Sequence, residues 1–192
     1  MGPNLPPVQK IKTFSAWLWL PHSSILSNGL LVMSSRRDAR EQVMKALYAN
    51  EQTEGDADQA LHAVVRVPLD DDPSTQDFAE HLFRETLNAM EEADEIIEKH
   101  ADNWEIHRIA AVDRCLLRMA TTELLKFEEV PPKVSVDEAI EIAKRYSTPR
   151  SGTFVNGVID AILLDLHDQE RLNKTGRGLV GMDTIRERVD SS

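Results

Sequence analysis

Residues 152–167 read Gly152-Thr-Phe154-Val155-Asn156-Gly157-Val158-Ile159-Asp160-Ala-Ile162-Leu-Leu-Asp-Leu166-His167. Phe154, Val155, Val158, Ile159, Ile162 and Leu166 recur at intervals of three and four. That period places them on one face of an α-helix, whereas a half-buried strand would alternate every second residue. Upstream the same period recurs, with Ala139, Ile140, Ala143 and Tyr146 on the face of another helix. Thr148-Pro149-Arg150-Ser151-Gly152 forms the turn between them. Ser135-Val-Asp-Glu138 has the form of a capping box, so it is expected to start the earlier helix. Pro131-Pro132 is expected to end the helix before it and to impose an extended linker.

Further upstream the same period dominates. A helix is expected from Trp104 to Lys126, capped by Asn103, with Ile109, Val112, Leu116, Met119 and Ala120 as its stripe. Residues from Ser74 or Thr75 to about 100 form another, facing inward with Phe78, Leu82, Phe83, Leu87, Met90, Ile96 and Ile97; a break near Glu91-Glu92 is compatible with the pattern. Residues 57–66 form a short helix, closed by Pro68 and the Asp70-Asp71-Asp72-Pro73 loop. The first helix spans 36–52, with Ala39, Val43, Ala46 and Leu47 inside. The fold class is all-α.

The chain has 192 residues, 41% of them hydrophobic and 29% charged, enough for one domain with its own core. Its single cysteine, Cys115, excludes an intrachain disulfide and reads as a buried, inert thiol. The formal net charge is −11, but residues 51–102 alone carry −13, and the rest of the chain carries +2. A local basic patch is therefore compatible with an acidic protein, because salt screens charges beyond about 8–10 Å.

Residues 1–32 differ in character. Pro3, Pro6, Pro7 and Pro21 surround an apolar burst from Phe14 to Leu20, too short to span a membrane. Lys10 and Lys12 resemble the start of a signal peptide, but Pro21 interrupts the apolar stretch and no clean cleavage site follows. Met33-Ser-Ser-Arg-Arg looks like an ordinary cytosolic start. Residues 1–32 are expected to form an extension outside the fold, an upstream start being one explanation and a targeting or partner-binding segment the other. Residues 33–169 form the helical domain, and 170–192 read as a polar, disordered tail.

Phosphate-loop, dinucleotide-binding and nucleophile-elbow patterns are absent from the sequence. His22, His62, His81, His100, His107 and His167 make no metal-ligand pair by spacing; His81 and Glu85 read as a solvated pair. No enzyme activity, cofactor or metal is expected. Helix one carries a different signal. Arg37 and Tyr48 are eleven residues apart, within about 20° on the helix, and Arg40 lies about 60° from Arg37, at the border of the core face. Together they are expected to form an exposed strip about 16 Å long. Arginine offers a fork for phosphate and tyrosine a flat face for an unpaired base. The alternative reading is a solvated helix face with a half-buried tyrosine.

Four motifs then resemble the NusB family of transcription antitermination factors: Arg37-Asp-Ala-Arg40-Glu41 with Ala46-Leu47-Tyr48; Asp113-Arg-Cys-Leu-Leu-Arg118-Met-Ala-Thr-Thr-Glu123-Leu; Val130-Pro-Pro-Lys133-Val-Ser-Val-Asp-Glu138-Ala-Ile-Glu-Ile-Ala-Lys144; and Phe154-Val155-Asn156-Gly157-Val158-Ile159-Asp160. They cover roughly residues 35–168 in the family's order and spacing. The resemblance implies two three-helix subdomains packed across each other and a non-enzymatic, cytoplasmic role. It implies binding of single-stranded boxA RNA in ribosomal RNA transcripts, with the ribosomal protein NusE, and loading of Nus factors on RNA polymerase. No membrane partner is implied.

Matched position by position, the resemblance points to Arg37, Arg40, Tyr48, Asp113, Arg150 and Phe154 as RNA-binding residues. Asp113 would accept from base amino groups. Asp38 stands where some relatives carry arginine, and Arg150 where some carry an acidic residue beside the RNA. Structural roles are expected for several signature residues: Gly157 for close helix packing, Asn156 for a backbone hydrogen bond at that crossing, Arg118 and Glu123 as a mutual pair, and Glu138 as a cap. Phe154 is open between core packing and RNA stacking. The rival to the RNA reading is a helical protein-interaction module of the same fold that has lost boxA binding.

Overall fold

The computed structural model describes residues 35–53, 56–101 and 105–185, and these form seven α-helices joined by short turns. The expectations for residues 1–32, and for Asn103 and Trp104, lie outside the described residues. Helix α1 spans Arg36–Gln52. Ser35 caps it by accepting from the Asp38 amide while the Asp38 carboxylate reaches back to the Ser35 amide. Asp38, which stands where some relatives of the resembled family carry arginine, therefore has a structural task.

Helix α2, Ala57–Ala60, runs on without a break into a wider π-helical segment, Leu61–Arg66. Asp72 caps α3, Pro73–Asn88, with Pro73 in the first turn where its missing N–H costs nothing. Ala89 separates α3 from α4, Met90–His100, close to the break the sequence allowed.

The expected helix from Trp104 is shorter than its pattern suggested. Ile106–Arg108 make a single 3₁₀ turn, and α5 begins at Ala111 and ends at Lys126. Helix α6 spans Pro132–Tyr146 and corrects a second expectation. Pro131, extended at φ −60° and ψ 135°, stands at the cap and Pro132 enters as the first helical residue. The proline pair thus starts a helix, because a helix's first residues need no intrahelical N–H partner. Ser135 lies inside α6 and is buried, so it caps nothing. Helix α7 spans Ser151–Asp168.

Helix α1 packs against α3 and the π-helical segment, closing an N-terminal group over Val43, Leu47, Leu61, Val65, Leu82 and Phe83. Helices α4, α5, α6 and α7 form a second group, with α4 against α5 and α7. Helix α5 joins the groups by packing on α1 and α3 as well, so it is buried along most of its length. Its arginines are held in ion pairs. Arg118 donates to Asp94 at 2.6 and 2.7 Å and to Glu51, while Arg114 donates to Glu51 at 2.8 Å. The expected Arg118–Glu123 pair does not form; Glu123 instead meets Arg40. Asn156 and Gly157 are exposed, and a Cβ on Gly157 would meet nothing within 4 Å, so neither serves a helix crossing.

The expected disordered tail is, through residue 185, an ordered strap. Lys174 Nζ donates to the carbonyls of Glu123 and Phe127 at 3.2 and 2.8 Å, adding a cation at the C-terminal end of α5 to acceptors that also take the Phe127 and Val130 amides. The Thr175 amide donates to the Glu128 carbonyl, a 3₁₀ turn follows at Gly176–Leu179, and Ile185 is buried. Gly176 and Gly181 adopt positive φ, so these glycines set turns in the strap rather than marking disorder.

Candidate nucleic-acid interface

The side chains that the sequence grouped on α1 separate in the structure according to what faces them. Arg40 is turned inward. Its guanidinium donates to Glu123 of α5 at 2.7, 3.1 and 3.1 Å and to the Arg36 carbonyl at 3.1 Å, and lies 5.2 Å from the Phe78 ring centroid. The Arg40 and Glu123 side chains are 4% and 2% exposed. Arg40 is therefore an interior ion-pair partner, and the expected three-residue exposed strip does not exist as such.

Arg37 faces out, but it too has a partner. It makes a two-pronged pair with Glu138 of α6, at 2.7 Å for each prong. That hydrogen-bonded pair, and the attraction of the same carboxylate, hold the guanidinium above its usual pKa. Glu138 is thus an ion-pair partner across a seam between α1 and α6. Tyr48 is half-buried and packs against the core.

One turn further along α1 on the same seam begins a cluster that the sequence did not bring together. Glu41 of α1, almost wholly buried, accepts from Arg145 Nη1 at 2.7 Å and from the Tyr146 hydroxyl at 2.6 Å. Lys45, one turn further, sets its ammonium 5.1 Å from the Tyr146 ring centroid, and the Arg145 guanidinium lies 5.5 Å from the same ring. Burial pushes the Tyr146 phenol up to about 12, with the hydrogen bond to Glu41 adding to the rise. Burial also holds the Lys45 ammonium below its usual value; the neighbouring Arg145 charge acts in the same direction and Glu41 opposes. Helix periodicity shows that Glu41, Lys45 and Tyr48 lie within one side of α1. Nothing in the local sequence says that residues 145–146 stand opposite them.

Beyond Tyr146 the chain turns into α7 through a hydroxyl cluster. Ser151 Oγ donates to Asp113 Oδ2 at 2.7 Å and stands 2.9 Å from both Ser147 Oγ and Thr148 Oγ1. Asp113 is buried, in the first turn of α5, so it is placed to anchor the start of α7 rather than to meet a base at the surface. Arg150, next to Ser151, is exposed and stands at the cap of α7. Phe154, one turn on, is half-buried against the core. Of the six residues expected at an RNA surface, Arg37 and Arg150 are open to solvent, Tyr48 and Phe154 are partly so, and Arg40 and Asp113 are interior.

The match to the NusB family model runs over residues 37–163, from the start of α1 to well into α7. The chain belongs to the NusB family. It is 91% identical, over 160 residues, to a transcription antitermination protein NusB of Salinibacter ruber, a match covering 83% of this chain and all of that relative. A solved NusB structure from T. maritima has 37% identity and a TM-score of 0.63, and the match covers 68% of this chain and 91% of that one. A solved structure of the antitermination factors NusB and NusE in complex with double-stranded RNA has 28% identity and a TM-score of 0.62 to this chain, with 67% and 95% of the two chains covered. The family core thus contains both groups of helices and the α1–α6 seam. Among the described residues no helix is long and apolar enough to cross a membrane, and no group of three or more His, Cys, Asp or Glu side chains could hold a metal ion.

Proposed function

We propose that this chain is a transcription antitermination factor that binds single-stranded boxA RNA of ribosomal RNA transcripts together with NusE. The complex then joins other Nus factors on RNA polymerase and helps it resist termination. The observation that carries this reading is 91% identity to a transcription antitermination protein NusB across that relative's whole length. The role is non-enzymatic and cytoplasmic. Arg37 and Arg150 supply charge to the RNA surface, and the partly open rings of Tyr48 and Phe154 supply stacking faces. Asp113 contributes by fixing Ser151, and through it the start of α7 beside Arg150. Arg40 contributes to folding. We assign residues 1–32 to an extension that the domain does not need in order to fold, so a chain starting at Met33 unfolds as cooperatively as the full chain.

A second reading, a protein-interaction module that has lost boxA binding, draws support from the ion pairs that occupy Arg40 and Arg37. The two are separated by titrating labelled boxA RNA with this protein, with NusE, and with both. Tight binding only with both, preferring the single strand to a duplex of the same sequence, supports the first reading. NusE binding with no gain in RNA affinity supports the second.

A further inference from the structure

The cluster around Tyr146 has a feature that folding alone does not use. Glu41 is shared by Arg145 Nη1 and the tyrosine hydroxyl, which fixes the guanidinium against the ring. Among the described residues the Nε and Nη2 edge of Arg145 has no hydrogen-bond partner, and the side chain is 53% exposed. Lys45 stands beside the same ring and makes no ion pair within 4 Å among the described residues. Two cations thus converge on one ring, with the buried Glu41 carboxylate beside them already holding Arg145 and the tyrosine hydroxyl. Burial and Arg145 work against the Lys45 charge and Glu41 offsets them only in part, the ammonium staying below its usual value, so a second anion would favour the pair of cations.

We propose that Lys45 and Arg145 form a clamp for one phosphodiester of the bound RNA, with Tyr146 as the post that sets both cations. The inference rests on the RNA-binding reading above and adds residues to it. Guanidinium edges match phosphate oxygens in a two-pronged fashion, and an ammonium adds a point charge. Because Glu41 and the ring already order Arg145, little side-chain freedom is lost on binding. The clamp lies one helical turn from Tyr48 and two turns from Arg37 on the same side of α1, so a strand held there can stack a base on Tyr48.

The test measures boxA RNA affinity against salt concentration at saturating NusE, for the parent, Lys45→Met, Arg145→Gln and the double variant. The slope of log affinity against log salt is expected to fall by about 0.7 in either single variant, the value for one phosphate contact on a single strand. Affinity falls roughly tenfold to a hundredfold, in keeping with loss of charge-assisted hydrogen bonds. The double variant is expected to match the singles, since both cations grip one phosphate. Tyr146→Phe, which keeps the ring and removes the hydroxyl that helps fix Glu41 and through it Arg145, lowers affinity with the slope unchanged. Circular dichroism checks the fold, and Arg145→Lys, which keeps the charge, restores the slope. A parent that binds with an unchanged slope in all variants overturns the clamp and leaves the function intact. Loss of NusE affinity with an unchanged RNA slope makes the seam a protein contact and also overturns it. A parent that binds no RNA overturns both readings.

Discussion

Arg40 offers the sharpest division between a side chain used for RNA and one used for folding. Its guanidinium and the Glu123 carboxylate form a buried pair with three hydrogen bonds between them. Replacing Arg40 with alanine strands Glu123 between α1 and α5 with its charge unpaired. The cost of breaking a buried pair in this way is about 3–5 kcal/mol. In urea, at about 2 kcal/mol per molar for a domain of this size, the midpoint falls by roughly 1.5–2.5 M. Glu123→Gln gives a loss of the same sign. The double variant Arg40→Met with Glu123→Leu recovers most of the stability, since apolar replacement removes both desolvated charges together. The assay is equilibrium unfolding followed by helical circular dichroism, with the parent, Arg40→Met, Glu123→Leu and their double variant arranged as a double-mutant cycle. Single variants as stable as the parent, with coupling near zero and RNA affinity lost, would refute the reasoning and return Arg40 to the RNA surface.

Asp165 receives Lys99 Nζ at 2.8 Å and His100 Nε2 at 2.9 Å, and these bonds, that from Lys99 first, hold its carboxyl well below the usual range, at about 2 against an ordinary 3.8. Because the folded-state value is depressed, the carboxylate stabilises the fold above the ordinary value, and that contribution is lost as pH falls from 3.8 towards about 2. Asp165→Asn should therefore be less stable than the parent at pH 7, with the gap closing across that window in acid unfolding. Burial, with Glu51 adding to it, pushes the Cys115 thiol up to about 12, so a thiol reagent at pH 8 should label it only after denaturant is added. Gly178→Ala would place a Cβ 1.8 Å from the Glu128 carbonyl oxygen, so it should detach the strap; protease cleavage after Arg177, compared with the parent, reads this out. Gly157→Ala, on an open face of α7, should raise unfolding free energy by about 0.5–1 kcal/mol. No gain, or a loss, would mean that the position is packed.

Helix identity was legible from spacing because periodicity is a local property of the chain. The expected start and end of α1, 36–52, coincide with the observed Arg36–Gln52, and the stripe Phe154, Val155, Val158, Ile159, Ile162 and Leu166 lies along α7 as expected. Termini were less legible where two local rules competed. Pro131-Pro132 and Ser135-Val-Asp-Glu138 each suggest a boundary; α6 begins at the prolines, where a missing N–H costs nothing, and Glu138 pairs with Arg37 instead of capping. The α5 start lies at Ala111, after a separate 3₁₀ turn, and Asp113 in its first turn is held by Ser151, 38 residues away, a contact that local spacing does not show.

The sequence by itself determined an all-helical core, a charge balance with its acidity confined to one region, and four motifs specific enough to place the chain in its family. Tertiary structure decided which of those residues are free to meet a ligand. Helix geometry states the direction of a side chain relative to its own axis and is silent about what stands in that direction. Arg40 and Arg37 are separated by about 60° on α1, and the difference in their fates is set by Glu123, 83 residues away, and Glu138, 101 residues away. The strap belongs to the same class. Its polar composition resembles a solvated tail, and it is the partial negative charge of the carbonyls at the C-terminal end of α5, distant in sequence, that holds Lys174 in a buried place.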